Sequence, residues 1–422
     1  MNKKISLGTA LALIALAVAL AVTLTMMFSM ERFSSTVTDV NQRQSLLDYL
    51  TEVDKKVRDE YSGTIDEVRL RETVAASYLS GIGDPYADYL TADEYAAVEA
   101  VLKGEAEGFG LTVEYDRNSE MLVGSVAANS PAALAGMQAG DLIRTVNDTP
   151  VGSDMTLADL QDLLATSGKV QLTVNRGAEE KSFALISAVY TLESVSGKML
   201  DQRIGYIRIT NFSALTHKQF ETLYESLRSQ GAVGFIFDLR GNSGGSLEAA
   251  GQVLEMLLPN ATYATLDRGD STESLTSKGT TEVALSSVTL INGGTSGEAE
   301  LFAGALAEFN KTKLVGTITA GCALVQEYFV LTSTNARIKL SVGELSLPKS
   351  GSWQGKGLTP AKEVSSFSVD GATDPQLDAA VELLMGSNAN LTTTTTATTT
   401  TATTTTTTAS GGTTQTAGTT EE

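Results

Sequence analysis

The sequence predicts a mixed α/β chain, on three observations. Between residues 41 and 100, Leu46, Leu47, Leu50, Val53 and Val57 recur at three- and four-residue steps with charges between them, the pattern of helices. Strand signals at 204–209 and 235–239 flank a helix-spaced stretch over 216–229. An apolar run, 288–291, enters a Gly-rich turn (Asn292, Gly293, Gly294), after which Leu301, Phe302, Ala305, Leu306 and Phe309 share one helical face. A nucleophile at such a turn is exposed at a strand end, beside N–H groups and a positive helix end that hold developing negative charge.

With 422 residues the chain is long enough for two domains, and 42% hydrophobic content supplies a sizeable core. The formal charge of −20, from 30 Lys+Arg against 50 Asp+Glu, argues against nucleic acid or an anionic membrane surface as partner. The single cysteine, Cys322, excludes an intramolecular disulfide, and nothing calls for a cofactor or a metal. Lys3 and Lys4 precede an uncharged segment, residues 5–30, long enough to span a bilayer. A secretory signal has only about 7–15 apolar residues, and the one A-x-A match, Ala17-Val18-Ala19, lies inside the run. Residues 1–32 are therefore read as an uncleaved, single-pass membrane anchor, with an extracytoplasmic ectodomain after Arg32.

Residues 33–104 form a helical segment interrupted by the turn-rich stretch G-D-P-Y-A-D-Y-L-T, Gly83 to Thr91. From 105 to 190 the order is Gly108-Phe109-Gly110-Leu111, then Ser130-Pro131-Ala132, Ala135-Gly136-Met137, Gly140-Asp141-Leu142-Ile143, a helix-spaced stretch at Leu160 to Leu164 and a strand over 170–174. This series resembles a PDZ domain, which implies an inserted β-barrel whose Gly108, Phe109, Gly110 and Leu111 bind a peptide's terminal carboxylate. A spacer with a closed groove is the alternative, since fold alone does not give function.

Residues 191–388 carry the α/β core. Asp238-Leu239-Arg240-Gly241-Asn242-Ser243-Gly244-Gly245 follows its second strand, T-S-G-E-A-E begins at Thr295, and Val315, Gly316, Thr319, Gly321, Val325 and Gln326 keep a fixed spacing. With Gly83 to Thr91 and the closing Ser350 to Pro360 run, these motifs resemble the carboxyl-terminal processing peptidases, proteases with a Ser-Lys dyad. The resemblance implies the peptidase fold of that family, with a nucleophilic serine at the position of Gly297 and a lysine at that of Cys322. It also implies an oxyanion hole from the Gly244-Gly245 loop and the N–H after the nucleophile, here that of Glu298. Lys356 belongs to the closing motif and is not a displaced base.

Glycine has no atom with which to attack a carbonyl, and a thiol of ordinary pKa about 8.5 is no replacement for a desolvated neutral lysine. Sliding the register by one offers Ser296 as nucleophile but still leaves no lysine. Cys322 as a new nucleophile lacks a nearby histidine in the sequence, His217 being the only one, and a small buried thiol is the plainer reading. Glu298 and Glu300 are acids at a helix N-terminus, worth a few tenths to about 1 kcal/mol each. The expectation is a catalytically inactive relative at the cell envelope that binds C-terminal tails of exported or membrane proteins, or tunes an active homologue. The alternatives are an active serine-type endopeptidase and a structural envelope protein. A helix is expected over 374–384, and the Thr-rich residues 389–422 have no apolar surface to bury and are expected to be disordered.

Overall fold

The apolar steps from Leu46 to Val57 do form a helix, α1, over residues 43–60, and α2 follows at Glu67–Gly81. The computed structural model describes residues 20–21, 23–27, 43–152, 155–279, 285–365 and 373–397, in two compact units, Met1–Arg71 and Glu72–Glu422. Among the described residues no helix is long and apolar enough to cross a membrane. The run expected to be an anchor, 5–30, lies outside the described residues except at 20–21 and 23–27.

In the second unit the Gly83 to Thr91 stretch contains a short strand, β1 (Asp88–Leu90), and ends on Thr91, the N-cap of α3 (Ala92–Lys103). The Thr91 hydroxyl accepts from Glu94 N at 3.3 Å while Glu94 accepts from Thr91 N at 2.8 Å, a reciprocal capping box. Gly104, at φ 83°, closes α3 in the left-handed conformation that glycine tolerates.

Next come β2 (Glu105–Gly108), β3 (Leu111–Tyr115), β4 (Met121–Val126), α4 (Pro131–Leu134), β5 (Leu142–Val146) and β6 (Thr149–Pro150). Helix α5 (Leu157–Thr166) and strands β7 (Lys169–Arg176), β8 (Glu179–Ile186) and β9 (Ala188–Thr191) complete the domain. The sheet order is β3-β4-β5-β7-β8, with β6 on β5, around a core of Phe109, Val113, Val123, Ile143, Leu160 and Leu172. Among the described residues it is an open sheet rather than the β-barrel expected: β2 and β9 pair with each other, which leaves β3 at the edge.

The core is a six-stranded sheet and a five-stranded one. β10 (Val195–Leu200) pairs antiparallel with β11 (Ile204–Ile209), and helix α6 (Thr216–Ser229) leads to β12 (Gly234–Asp238). Helix α7 (Leu247–Leu257), strands β13 (Ala261–Asp267) and β14 (Thr272–Ser277), then β15 (Ser287–Ile291) and helix α8 (Glu298–Phe309) follow. The chain continues through β16 (Lys313–Gly316), β17 (Leu324–Val330), β18 (Arg337–Ser346), β19 (Lys362–Glu363) and α9 (Pro375–Ala397). The larger sheet runs β10-β11-β12-β15-β16-β19, parallel from β11 onward.

Alternation in β12 sends Phe235 and Phe237 into a cluster with Phe220, Leu254 and Phe302 of α6, α7 and α8. Ile236 packs on the opposite face with Ala380 and Leu384 of α9. Both faces are covered, as a parallel sheet requires. The smaller sheet runs β1-β18-β13-β14, with β17 on β18. Helix α9 runs beyond the 374–384 expected and past Asn390, because once nucleated a helix adds a bond per residue until a breaker stops it, and no proline follows. The Thr-rich residues 398–422 lie outside the described ones.

Candidate active site and peptide groove

Two loops leave the carboxyl ends of β12 and β15 and are knitted together. Asn242, fully buried, donates from Nδ2 to Ile209 O at 3.0 Å, accepts from Gly244 N at 2.9 Å, and through its carbonyl accepts from Ser296 N at 2.9 Å. Thr295 Oγ1 donates to Leu239 O at 2.9 Å. Below the first loop, Arg240 donates to Asp238 and Asp374, and the Asp238 carboxylate accepts from the Tyr206 hydroxyl at 2.6 Å. Burial and this acid push the Tyr206 hydroxyl up to about 12. Gly245 cannot be larger: at φ 143° its Cβ would stand 2.2 Å from Phe212 O.

The structure brings Gly297 and Cys322 to one carboxylate. Glu300 is fully buried, and its Oε2 accepts from Gly297 N at 3.2 Å and from Cys322 N at 2.8 Å. Its Oε1 accepts from Gly321 N at 2.8 Å and from the Thr319 hydroxyl. Glu300 is thus a staple between α8 and the segment before β17, a role that its place at a helix N-terminus did not announce. Three of these donors come from residues that the rest of α8 and the strand β16 separate from it in sequence.

Cys322 is buried. Its Sγ stands 3.8 Å from Gln326 Nε2, and its carbonyl accepts from Trp353 Nε1 at 3.1 Å. The Tyr86 hydroxyl lies beside the thiol, which together with burial raises it above its ordinary value. Tyr86 was missed as a neighbour of this position. Asp84 anchors its segment to β18, accepting from Ser341 N at 2.8 Å and Ser341 Oγ at 3.0 Å. His217 lies in the first turn of α6. Lys356 lines a separate cavity with Leu314 and Leu358, and its turn donates from Gly355 N to Gly321 O at 2.8 Å.

Glu298, half-buried, turns its side chain back toward the first loop. Its Oε2 accepts from Gly245 N at 2.9 Å and would stand 2.3 Å from a Cβ on Gly244. Burial pushes the Glu298 carboxyl above the usual carboxylate range, against the opposing pull of the Gly245 N–H. It opens onto a cleft of about 490 Å³ lined also by Tyr95, Gln252, Gln326 and Tyr328.

The predicted carboxylate-binding loop sits at the head of a second groove, about 460 Å³, between edge strand β3 and helix α5. Gly108, Phe109, Gly110 and Leu111 all line it, with Val126, Leu164 and Tyr190. The carbonyls of Phe109 and Gly110 are drawn off by Ala132 N at 3.0 Å and Ala127 N at 2.8 Å, which fixes the peptide planes of the loop. At φ 73° a Cβ on Gly110 would stand 2.1 Å from Ser130 Cβ, whereas around Gly108, at φ 137°, there is open space.

A model of peptidase family S41 matches residues 203–364, and a PDZ domain model matches 122–176. A carboxyl-terminal-processing protease of Synechocystis is 30% identical over 335 residues, 75% of this chain and 77% of that protein. The carboxy-terminal processing protease CtpA of Bacillus subtilis is 30% identical over 345 residues, 79% of this chain and 72% of that protein. The fold matches a crystal structure from Bacteroides fragilis described as an S41 protease, with TM-score 0.53 and 19% identity over 77% of this chain and 92% of that one. With both domain types matched and most of two relatives covered, the chain belongs to the carboxyl-terminal processing proteases of peptidase family S41.

Proposed function

We propose that this member of the family does not cleave, and that it captures the C-terminal tails of polypeptides in the groove between β3 and α5. The observation that carries the first half is the Glu298 carboxylate on Gly245 N. An N–H that stabilises a developing oxyanion must be empty when the substrate arrives, and here it is already donated to a carboxyl oxygen. Gly297 supplies no nucleophile, and among the described residues the side-chain partners of the Cys322 thiol, Gln326 and Tyr86, are not bases.

The second half rests on a free sheet edge, a loop of left-handed glycines at its head and an apolar floor, the parts that strand addition uses. We place the groove outside the membrane, on the strength of the apolar run 5–30 behind Lys3 and Lys4. Calorimetric titration of the chain with a capped peptide ending in an apolar residue tests the binding. The free carboxylate should bind and the amidated peptide should not; equal binding, or none to either, would leave the domain a spacer.

A further inference from the structure

The groove is not simply open. Gln161, exposed on α5, donates from Nε2 across it to Val113 O at 3.4 Å, and at its far end Leu157 N donates to the Tyr115 hydroxyl at 3.3 Å. Both bonds tie the helix to the strand along which a ligand would lie. Val113 O is more than a local acceptor. The loop that takes a terminal carboxylate precedes β3, so a peptide ending there runs antiparallel to the strand. Its last residue then faces Leu111, and because strand residues alternate, its antepenultimate residue faces Val113.

We infer that Gln161 is a latch on the peptide groove: its carboxamide holds the backbone acceptor, Val113 O, that the antepenultimate N–H of a bound C-terminal tail must take. This rests on the groove being a C-terminal peptide site. Binding exchanges one hydrogen bond for another at the same oxygen, so the ligand gains less there than an empty acceptor would give. Gln161 thereby raises the threshold that a tail must pass by its other contacts, the carboxylate in the loop and the last side chain on the apolar floor. The exposed position of Gln161 means that its removal opens no cavity.

The experiment is a cycle on the full chain, wild type against Gln161→Ala, each titrated with three capped hexapeptides ending Val-Ala-Val. One has a free carboxylate, one is amidated, and one carries a backbone ester in place of the antepenultimate amide, which removes the N–H without adding bulk. Gln161→Ala should bind the free peptide about two- to tenfold tighter, the net worth of one released hydrogen bond. That gain should vanish with the ester. Equal or weaker binding of the free peptide by Gln161→Ala, while wild type still prefers it to the amide, overturns the latch and leaves the groove standing. A gain that persists with the ester also overturns it, since the effect would then be one of side-chain bulk. If wild type does not discriminate free from amidated peptide, the groove reading fails and the latch with it. Circular dichroism of both chains verifies that the variant is folded.

Discussion

Glu300 and Glu298 stand two residues apart on one helix turn and do opposite things. Glu300 is satisfied by donors from Gly297, Thr319, Gly321 and Cys322 with no solvent to replace it. Glu300→Ala strands those groups, and each buried unpaired donor costs about 1–3 kcal/mol, so the loss should be about 3 kcal/mol or more in urea unfolding. Glu298 is a carboxylate whose ionisation burial opposes. Its folded pKa is raised, so over the window from the ordinary carboxylate value up to that raised value the folded state holds the proton and the unfolded state releases it. Its contribution to stability therefore falls as pH rises through that window. Glu298→Gln should remove the fall: the variant should melt higher than wild type at neutral pH and level with it below the ordinary carboxylate range. A melting difference that grows on acidification would contradict this.

At the scale of elements, the turns that carry glycine decide what can be changed. In the carboxylate loop Gly110→Ala meets both a left-handed φ and Ser130, and should cost about 1–3 kcal/mol and abolish preference for a free carboxylate. Gly108→Ala meets only the φ and should be milder in denaturant melts. At the head of α8, Gly297 has φ 58° and ψ −123°, yet the nearest neighbours of a Cβ there are Ser243 O at 3.7 Å and Gly244 Cα at 4.0 Å. A serine has room and bears only backbone strain, about 1–3 kcal/mol. Gly297→Ser with Cys322→Lys and Glu298→Ala should therefore show turnover in a fluorogenic assay where each single change shows none, because nucleophile and base act as a unit. A folded triple variant without turnover would mean that the frame has lost more than these groups.

The longer elements were legible in the sequence, α1, α3, α5, α6 and α8 by their helical spacing and the strands β11, β12 and β15 by their short apolar runs. What was not legible depends on partners distant in the chain. β1 is only Asp88–Leu90 and exists through pairing with Arg337 to Lys339 of β18. Glu300 reads locally as a helix-end acid, and only the folded return of residues 319–322 reveals the staple. The open edge of the PDZ sheet depends on β2 choosing β9, a choice no alternation pattern encodes.

Over the whole molecule, the family's scaffold persists around Gly297, a Gly245 amide already donated to Glu298 and a buried Cys322 thiol, while β3 lies at the edge of its sheet. The proposed function is that such a scaffold holds a polypeptide end without cleaving it. The direct test is to incubate the purified chain with an unfolded polypeptide bearing an apolar C-terminus and follow the substrate by mass spectrometry. The substrate should remain intact, and the chain should not react with serine-directed probes. Cleavage that disappears in Ser296→Ala would contradict the account by naming the nucleophile, and cleavage abolished by thiol alkylation would give that role to Cys322.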